Sequence, residues 1–176
     1  MALREVVQFP DPRLKLVSRP IGEITDEIRQ LAADMIEVMY DEPGIGLAAP
    51  QVGASVRMFV IDTEWSDEEV GRQPLVVINP EISEREGRIT WDEGCLSVPD
   101  YNAVVERDAA ITLRGIDLDG KPIVERAEGL RAVCIQHEVD HLDGILFIDR
   151  ISRLKRSLYV KKRRKQLAEE ASEQRG

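Results

Sequence analysis

The only two histidines of the 176-residue chain, His137 and His141, stand four apart with Glu138 directly after the first, in the stretch Cys134-Ile-Gln-His137-Glu138-Val-Asp-His141-Leu-Asp-Gly144. On a helix turning ~100° per residue, His141 lies ~40° round the axis from His137 and one turn along it, so both imidazoles reach one ion. Glu138 is close enough to that ion to move protons beside it. The chemistry this permits is activation of water by a divalent metal. A third ligand has to come from elsewhere. Cys134 sits roughly 7 Å along the axis from a metal held midway between the histidines, and a thiolate bonding at ~2.3 Å does not bridge that gap. It reads instead as a small buried apolar side chain. Cys95, the other cysteine, follows a glycine in the irregular segment Glu93-Gly94-Cys95-Leu96-Ser97, where its side chain can be aimed without obeying helix or strand periodicity. Two imidazoles, one thiolate and an open fourth position describe a catalytic rather than a structural metal site. A distant carboxylate stays open as the alternative third ligand.

Several elements must position these residues. Leu130 and Cys134 continue the histidine face of the helix, Ile135, Val139 and Leu142 make the opposite side apolar, and Gln136, Asp140 and Asp143 form its polar strip. A helix apolar on two sides is a buried central helix. Upstream, Phe9-Pro-Asp-Pro-Arg-Leu14 begins as an extended or turning segment that packs. Thr25 caps a helix with Asp26 and Glu27 in its first turn and Ile28, Leu31, Ala32, Met35 and Met39 at helical spacing, running to about Asp41. Pro43 and Gly44 end it. The loop Gly44-Ile-Gly46-Leu-Ala-Ala-Pro50-Gln51-Val-Gly53 contains G-x-G-x-x-A, yet a helix precedes it, Pro50 follows and the strand-like Val56–Asp62 comes next, which excludes a dinucleotide-binding turn. Its glycines let a backbone come close to something, with the Gln51 amide nearby. Residues 63–74 read as an exposed acidic loop. Short strands follow at 75–78, 88–91, 103–106 and 110–113, and Asp119-Gly120 turns the chain into 122–125. The expected fold is α+β, with antiparallel β-sheets packed around a central buried helix carrying H-E-x-x-H and with a C-terminal helix.

At 43% hydrophobic, 176 residues bury one good core. The expected organisation is a single metal-dependent domain over 1–150, with a basic C-terminal helix and tail over 151–176 belonging to the same domain. No apolar run approaches the ~20 residues that span a bilayer. The start, Met1-Ala-Leu-Arg-Glu-Val, has neither an apolar nor an arginine- and serine-rich leader pattern. We therefore expect a cytoplasmic protein with free thiols, partnered by neither membrane nor DNA. The net charge of −9 conceals an asymmetry: residues 153–176 carry nine Lys or Arg against three Glu, a net of +6, which leaves the first 152 residues at −15. Such a tail suits an anionic partner, and it suits equally a helix folded back on an acidic body. Ser152 caps it, Ile151 lies just before its start, and Leu154, Leu158 and Val160 trace an apolar side.

Three segments, Gly44-Ile-Gly46-Leu-Ala-Ala-Pro50-Gln51, Glu93-Gly94-Cys95-Leu96-Ser97 and Gln136-His137-Glu138-Val-Asp140-His141, resemble in order and separation the three motifs of the peptide deformylases. The proline-rich start, Val77-Ile78-Asn79-Pro80 and the strands up to Gly120 extend the resemblance over roughly residues 4–160. It implies removal of the N-formyl group from the initiator methionine of newly made polypeptides, with release of formate. It implies that His137, His141 and Cys95 are the metal ligands, Glu138 the general acid/base, and Gln51 with the backbone amide of Leu96 the groups that stabilise the oxyanion. Gly44, Ile45 and Gly46 match positions that border the methionine pocket and pair with the substrate backbone, and Leu130, Val133 and Cys134 fall where the family's helix lines that pocket. The implied native metal is ferrous iron (Fe2+), with Zn2+, Ni2+ or Co2+ taking its place in purified protein. Members with a basic C-terminal helix imply docking at the ribosome, whose RNA is a dense polyanion. Asn102 departs from the pattern, standing where many members carry a basic residue that contacts the substrate backbone.

Two other readings share parts of this pattern. A general H-E-x-x-H metallopeptidase would need neither Cys95 nor the Gly46-to-Gln51 loop. A catalytically silent, deformylase-like protein held at the ribosome by its tail would not need Glu138.

Overall fold

The computed structural model of the protein describes residues 4–175; Gly176 and residues 1–3, where the start was read as carrying no leader, lie outside the described residues. The hydroxyl of Thr25 accepts from the Ile28 amide at 3.3 Å and opens helix α1 (Asp26–Asp41), which buries Leu31, Ala32, Met35, Val38 and Met39. Strands β1 (Gly46–Ala48), β2 (Met58–Ile61), β3 (Leu75–Cys95), β4 (Val98–Ile116) and β5 (Pro122–Glu128) follow, then helices α2 (Gly129–Leu142) and α3 (Arg153–Arg175). Short 3-10 turns occupy Pro12–Lys15, Ala49–Val52 and Phe147–Arg150.

The strands form one antiparallel five-stranded sheet in the order β1-β2-β3-β4-β5, which leaves β1 on an edge. Alternation along β2 sets the layers. Met58 and Val60 join α1 in one core, while Phe59 and Ile61 join Ala132, Ile135 and Leu142 of α2 in a second. A third core gathers Phe9, Leu14, Val105 and Phe147 with Tyr159 of α3, so the proline-rich start does pack.

Three expectations change in detail. The separate strands at 75–78 and 88–91 are parts of one strand, β3, and those at 103–106 and 110–113 are parts of β4. The charged stretch Glu84-Arg-Glu-Gly87-Arg suggests a break, but register shifts between Ile78 and Glu81 and between Ser83 and Glu86 absorb it, and pairing continues to Cys95. Secondly, the polar strip of α2 is divided: Asp143 is exposed, whereas Gln136 and Asp140 are buried and bonded inside the protein. Thirdly, Ser152 does cap α3, its hydroxyl accepting from the Lys155 amide at 3.2 Å, but Leu154 and Leu158 are 70% and 60% exposed. The helix docks instead through Tyr159, which packs on the rings of Tyr101 and Phe9, and through Arg163, whose guanidinium donates to the Phe9 carbonyl at 2.9 Å. No helix among the described residues is long and apolar enough to cross a membrane.

Candidate active site

Helix α2 runs directly behind β1, and Gly46 is what permits the approach. A Cβ at Gly46 would lie 2.7 Å from Glu138 Oε1 and 2.9 Å from Cys134 Sγ, closer than a side chain tolerates. The far end of β3 arrives from the other side and turns at Cys95 into β4. Cys95 Sγ lies 3.4 Å from His141 Nε2, which in turn is 3.2 Å from His137 Nε2. The ligand atoms of Cys95, His137 and His141 all fall within 4.8 Å of one another and could hold a metal ion.

The orientation of His137 tests that fit. Its Nδ1 sits 2.8 Å from Glu93 Oε1, and a proton shared there leaves the Nε2 lone pair directed at the cluster, as a ligating histidine requires. Glu93 is itself fixed. Arg107 donates to both its oxygens at 2.8 Å, then reaches Asp140 at 2.6 Å, and Arg150 grips Asp140 from outside through two bonds. Burial alone would raise the Glu93 carboxyl; the bonds from Arg107 and His137 outweigh it and hold the group at about 2. Burial also works against charge on both imidazoles. It takes His141 well below its ordinary value, helped by His137, and it is overcome at His137 by the bonds to Cys95 and Glu93. A sulfur and two Nε2 atoms packed this closely suit a cation between them, which would take the place of the proton that the Cys95 and Glu93 bonds favour on His137.

Glu138 is only 4% exposed, and its Oε2 has no hydrogen-bond partner. Burial pushes its carboxyl up to about 7 against the opposing pull of His137. Gln51 is held by its carbonyl oxygen, which accepts from the Ala48 amide at 3.0 Å, so its amide nitrogen faces Ser97 Oγ at 3.1 Å and Cys95 Sγ at 3.6 Å. Cys134, by contrast, lies outside the cluster; its thiol approaches the Ile45 carbonyl at 3.9 Å, and burial pushes it well above its ordinary value.

A cleft of about 400 Å³ opens onto this cluster. Gly44, Ile45, Gly46, Gln51, Leu96, Leu130, Val133 and Cys134 all line it, together with Cys95, His137 and Glu138, while His141 lies buried beneath. Trp91 and Asp92 line it as well and were not anticipated, since β3 continues to the cleft only because its register shifts keep it paired. Arg107, Asp140 and Arg150 were missed too. Asp140 reads in the sequence only as part of the polar strip of the helix, and no local signal shows that Arg107 and Arg150 neutralise it.

An antiparallel α+β fold with a thiolate–diimidazole cluster beside a buried carboxylate is the architecture of a metal-dependent hydrolase. The family model for "Polypeptide deformylase" matches residues 3–157. The peptide deformylase of Alkalilimnicola ehrlichii is 54% identical over 156 residues, spanning 89% of this chain and 86% of its own. Among solved structures, a peptide deformylase from Legionella pneumophila superposes with a TM-score of 0.88 at 40% identity, over 97% of this chain and 98% of that one. The Ehrlichia chaffeensis peptide deformylase in complex with actinonin superposes at 0.86 with 36% identity, over 94% and 98%. The chain belongs to the polypeptide deformylase family, metal-dependent hydrolases that remove the N-formyl group from the terminal formylmethionine of nascent polypeptides.

Proposed function

We propose that Cys95, His137 and His141 hold one ferrous ion in this chain and that Glu138 moves the protons of formyl-amide hydrolysis. The observation that carries this reading is the convergence of one Sγ and two Nε2 atoms within 4.8 Å, beside a carboxylate that is almost wholly buried. When bound there, the ion supplies Lewis acidity, which acidifies water and polarises a carbonyl. Glu138 has an oxygen with no protein partner, so it is free to take a proton from water and return it to the departing amine. Gln51 Nε2 and the backbone amide of Leu96 are the donors assigned to the developing oxyanion, each worth about 10²–10³ in rate.

Substrate binding follows from the same geometry. β1 is a sheet edge, so a formylated peptide can lie along Gly44, Ile45 and Gly46 as an added strand. The unbranched methionine side chain then enters between Ile45 and the α2 residues Leu130, Val133 and Cys134. We extend the reading to docking at the ribosome through α3, to action in the cytoplasm, and to a single domain of residues 1–150 with which 151–176 folds.

The deciding experiment is Glu138→Ala, assayed for formate release from formyl-Met-Ala with metal content measured on protein purified anaerobically. The expected result is near-wild-type metal, identified as iron, with turnover lower by about 10²–10⁴. Activity retained in that variant would remove Glu138 from its role. Release of formate without internal peptide cleavage by the unaltered protein separates this function from that of a general metallopeptidase and from a silent binding protein.

A further inference from the structure

Residues 63–74 read in the sequence as no more than an exposed acidic loop, yet two of the bonds that fix the cleft rim come from this segment and its base. Gly44 and Ile45 have little means of holding themselves: Pro43 and Gly44 have just ended α1, Gly44 has no side chain, and β1 does not begin until Gly46. The Gly44 amide donates to the Met39 carbonyl at 2.6 Å. The two carbonyls that follow are taken from across the chain. Asp62 donates its backbone amide to the Ile45 carbonyl at 2.8 Å, and Trp65 donates its indole N–H to the Gly44 carbonyl at 2.9 Å.

Trp65 is in turn locked from two sides. Its ring meets Tyr40 edge-on at 5.3 Å, and the Arg72 guanidinium lies 4.3 Å from the Tyr40 ring centre and 5.5 Å from that of Trp65. The base of the loop is tied as well, because the buried Asp62 carboxylate accepts from the Tyr40 hydroxyl and from the Gln73 amide. Both ends of the loop thus meet at one carboxylate, and its aromatic residue reaches back to the rim.

We propose that Trp65 is a positioning residue for the peptide-binding rim: its indole N–H, locked by Tyr40 and Arg72, holds Gly44–Gly46 in the register that a substrate strand requires. This rests on the deformylase reading of the cleft. Trp65 does not line the cleft, so its effect passes through the backbone it holds. A strand added to β1 binds through main-chain groups that have no rotamers with which to compensate, and a rim displaced by even ~1 Å weakens every such bond together. The bonds exist before and during reaction alike, so their loss raises KM and leaves kcat in place.

The test uses Trp65→Phe, which keeps a ring between Tyr40 and Arg72 but removes the N–H, and Trp65→Ala, which removes both. Three readouts are taken on the metal-loaded protein: steady-state kinetics with formyl-Met-Ala-Ser, amide hydrogen exchange over residues 43–48, and melting temperature. The expected result for Trp65→Phe is a KM raised on the order of tenfold, the scale of one lost hydrogen bond, with kcat unchanged, melting temperature lowered by no more than about 4 °C and exchange over 43–48 accelerated. Trp65→Ala extends both changes. Unchanged KM, or unchanged exchange at 43–48, overturns the proposal. So does lowered kcat with a lowered melting temperature at constant KM, since that pattern belongs to a residue that merely stabilises the fold. Failure of the unaltered protein to release formate would count against the deformylase reading instead, and the exchange difference would still decide whether Trp65 holds the rim.

Discussion

Two thiols occur in this chain, and their surroundings separate them completely. Cys95 Sγ faces two imidazole nitrogens at the turn from β3 into β4, whereas Cys134 is packed against β1 with its thiol kept protonated by burial. Cys95→Ser exchanges a soft thiolate for a hard hydroxyl in the ligand set and is expected to lose or loosen the ion. Cys134→Ser should stay fully metallated, because that side chain reaches no other ligand. Metal analysis after dialysis against a weak chelator separates the two, and the opposite ranking would reverse the ligand assignment. The distinction was legible in the sequence for a geometric reason: helical rise alone puts Cys134 too far from a metal between His137 and His141. Glu93 was visible only as a motif letter. Its bond to His137 spans 44 residues, and no local periodicity announces a contact of that range.

At the level of elements, the site depends on a buried chain of charges that staples β3, β4 and α2 together. Arg107 on β4 is 3% exposed and bridges Glu93 of β3 to Asp140 of α2. Replacing it with methionine preserves much of the volume but leaves Glu93 in the interior without its guanidinium and Asp140 held by Arg150 alone. Breaking such a pair costs about 3–5 kcal/mol, far more than a surface ion pair. Urea denaturation of Arg107→Met should register a loss of that order, and the metal site should loosen with it as Glu93 loses its anchor. A loss below about 1 kcal/mol would mean that Arg150 and water carry the network without Arg107. The helices were readable in advance because caps and 3.6-residue periodicity are local signals, as at Thr25 and along Leu31, Met35 and Met39. The long hairpin of β3 and β4 was not, because residues 84–88 are exposed on both faces and show no alternation that would betray a strand.

Across the whole molecule the charge is divided between an acidic body and a basic α3, and the packing of that helix bears on what the division is for. Had α3 folded back to neutralise the body, its cations would meet carboxylates. Among the described residues the ion pair it makes with the body is Arg156 to Asp149, while Arg163 spends its charge on the Phe9 carbonyl and the Gln8 side chain. Lys161, Lys162 and Lys165 remain exposed, alongside the outward-facing Leu154 and Leu158. That arrangement favours an external polyanion. It also rules out deletion of the helix as a clean test: Tyr159 is 2% exposed in the third core, and truncating a buried aromatic costs about 3–5 kcal/mol. The informative variant neutralises the outward face and leaves the inward one intact. Lys161→Gln, Lys162→Gln and Lys165→Gln together should keep the melting temperature and the hydrolysis of short formyl-peptides. Ribosome co-sedimentation at low salt should weaken, and the log–log dependence of affinity on salt should become shallower by about one per lysine that contacts phosphate. Co-sedimentation with an unchanged salt slope would assign the docking surface to some other part of the protein, whereas a lowered melting temperature would mean that these lysines serve the fold.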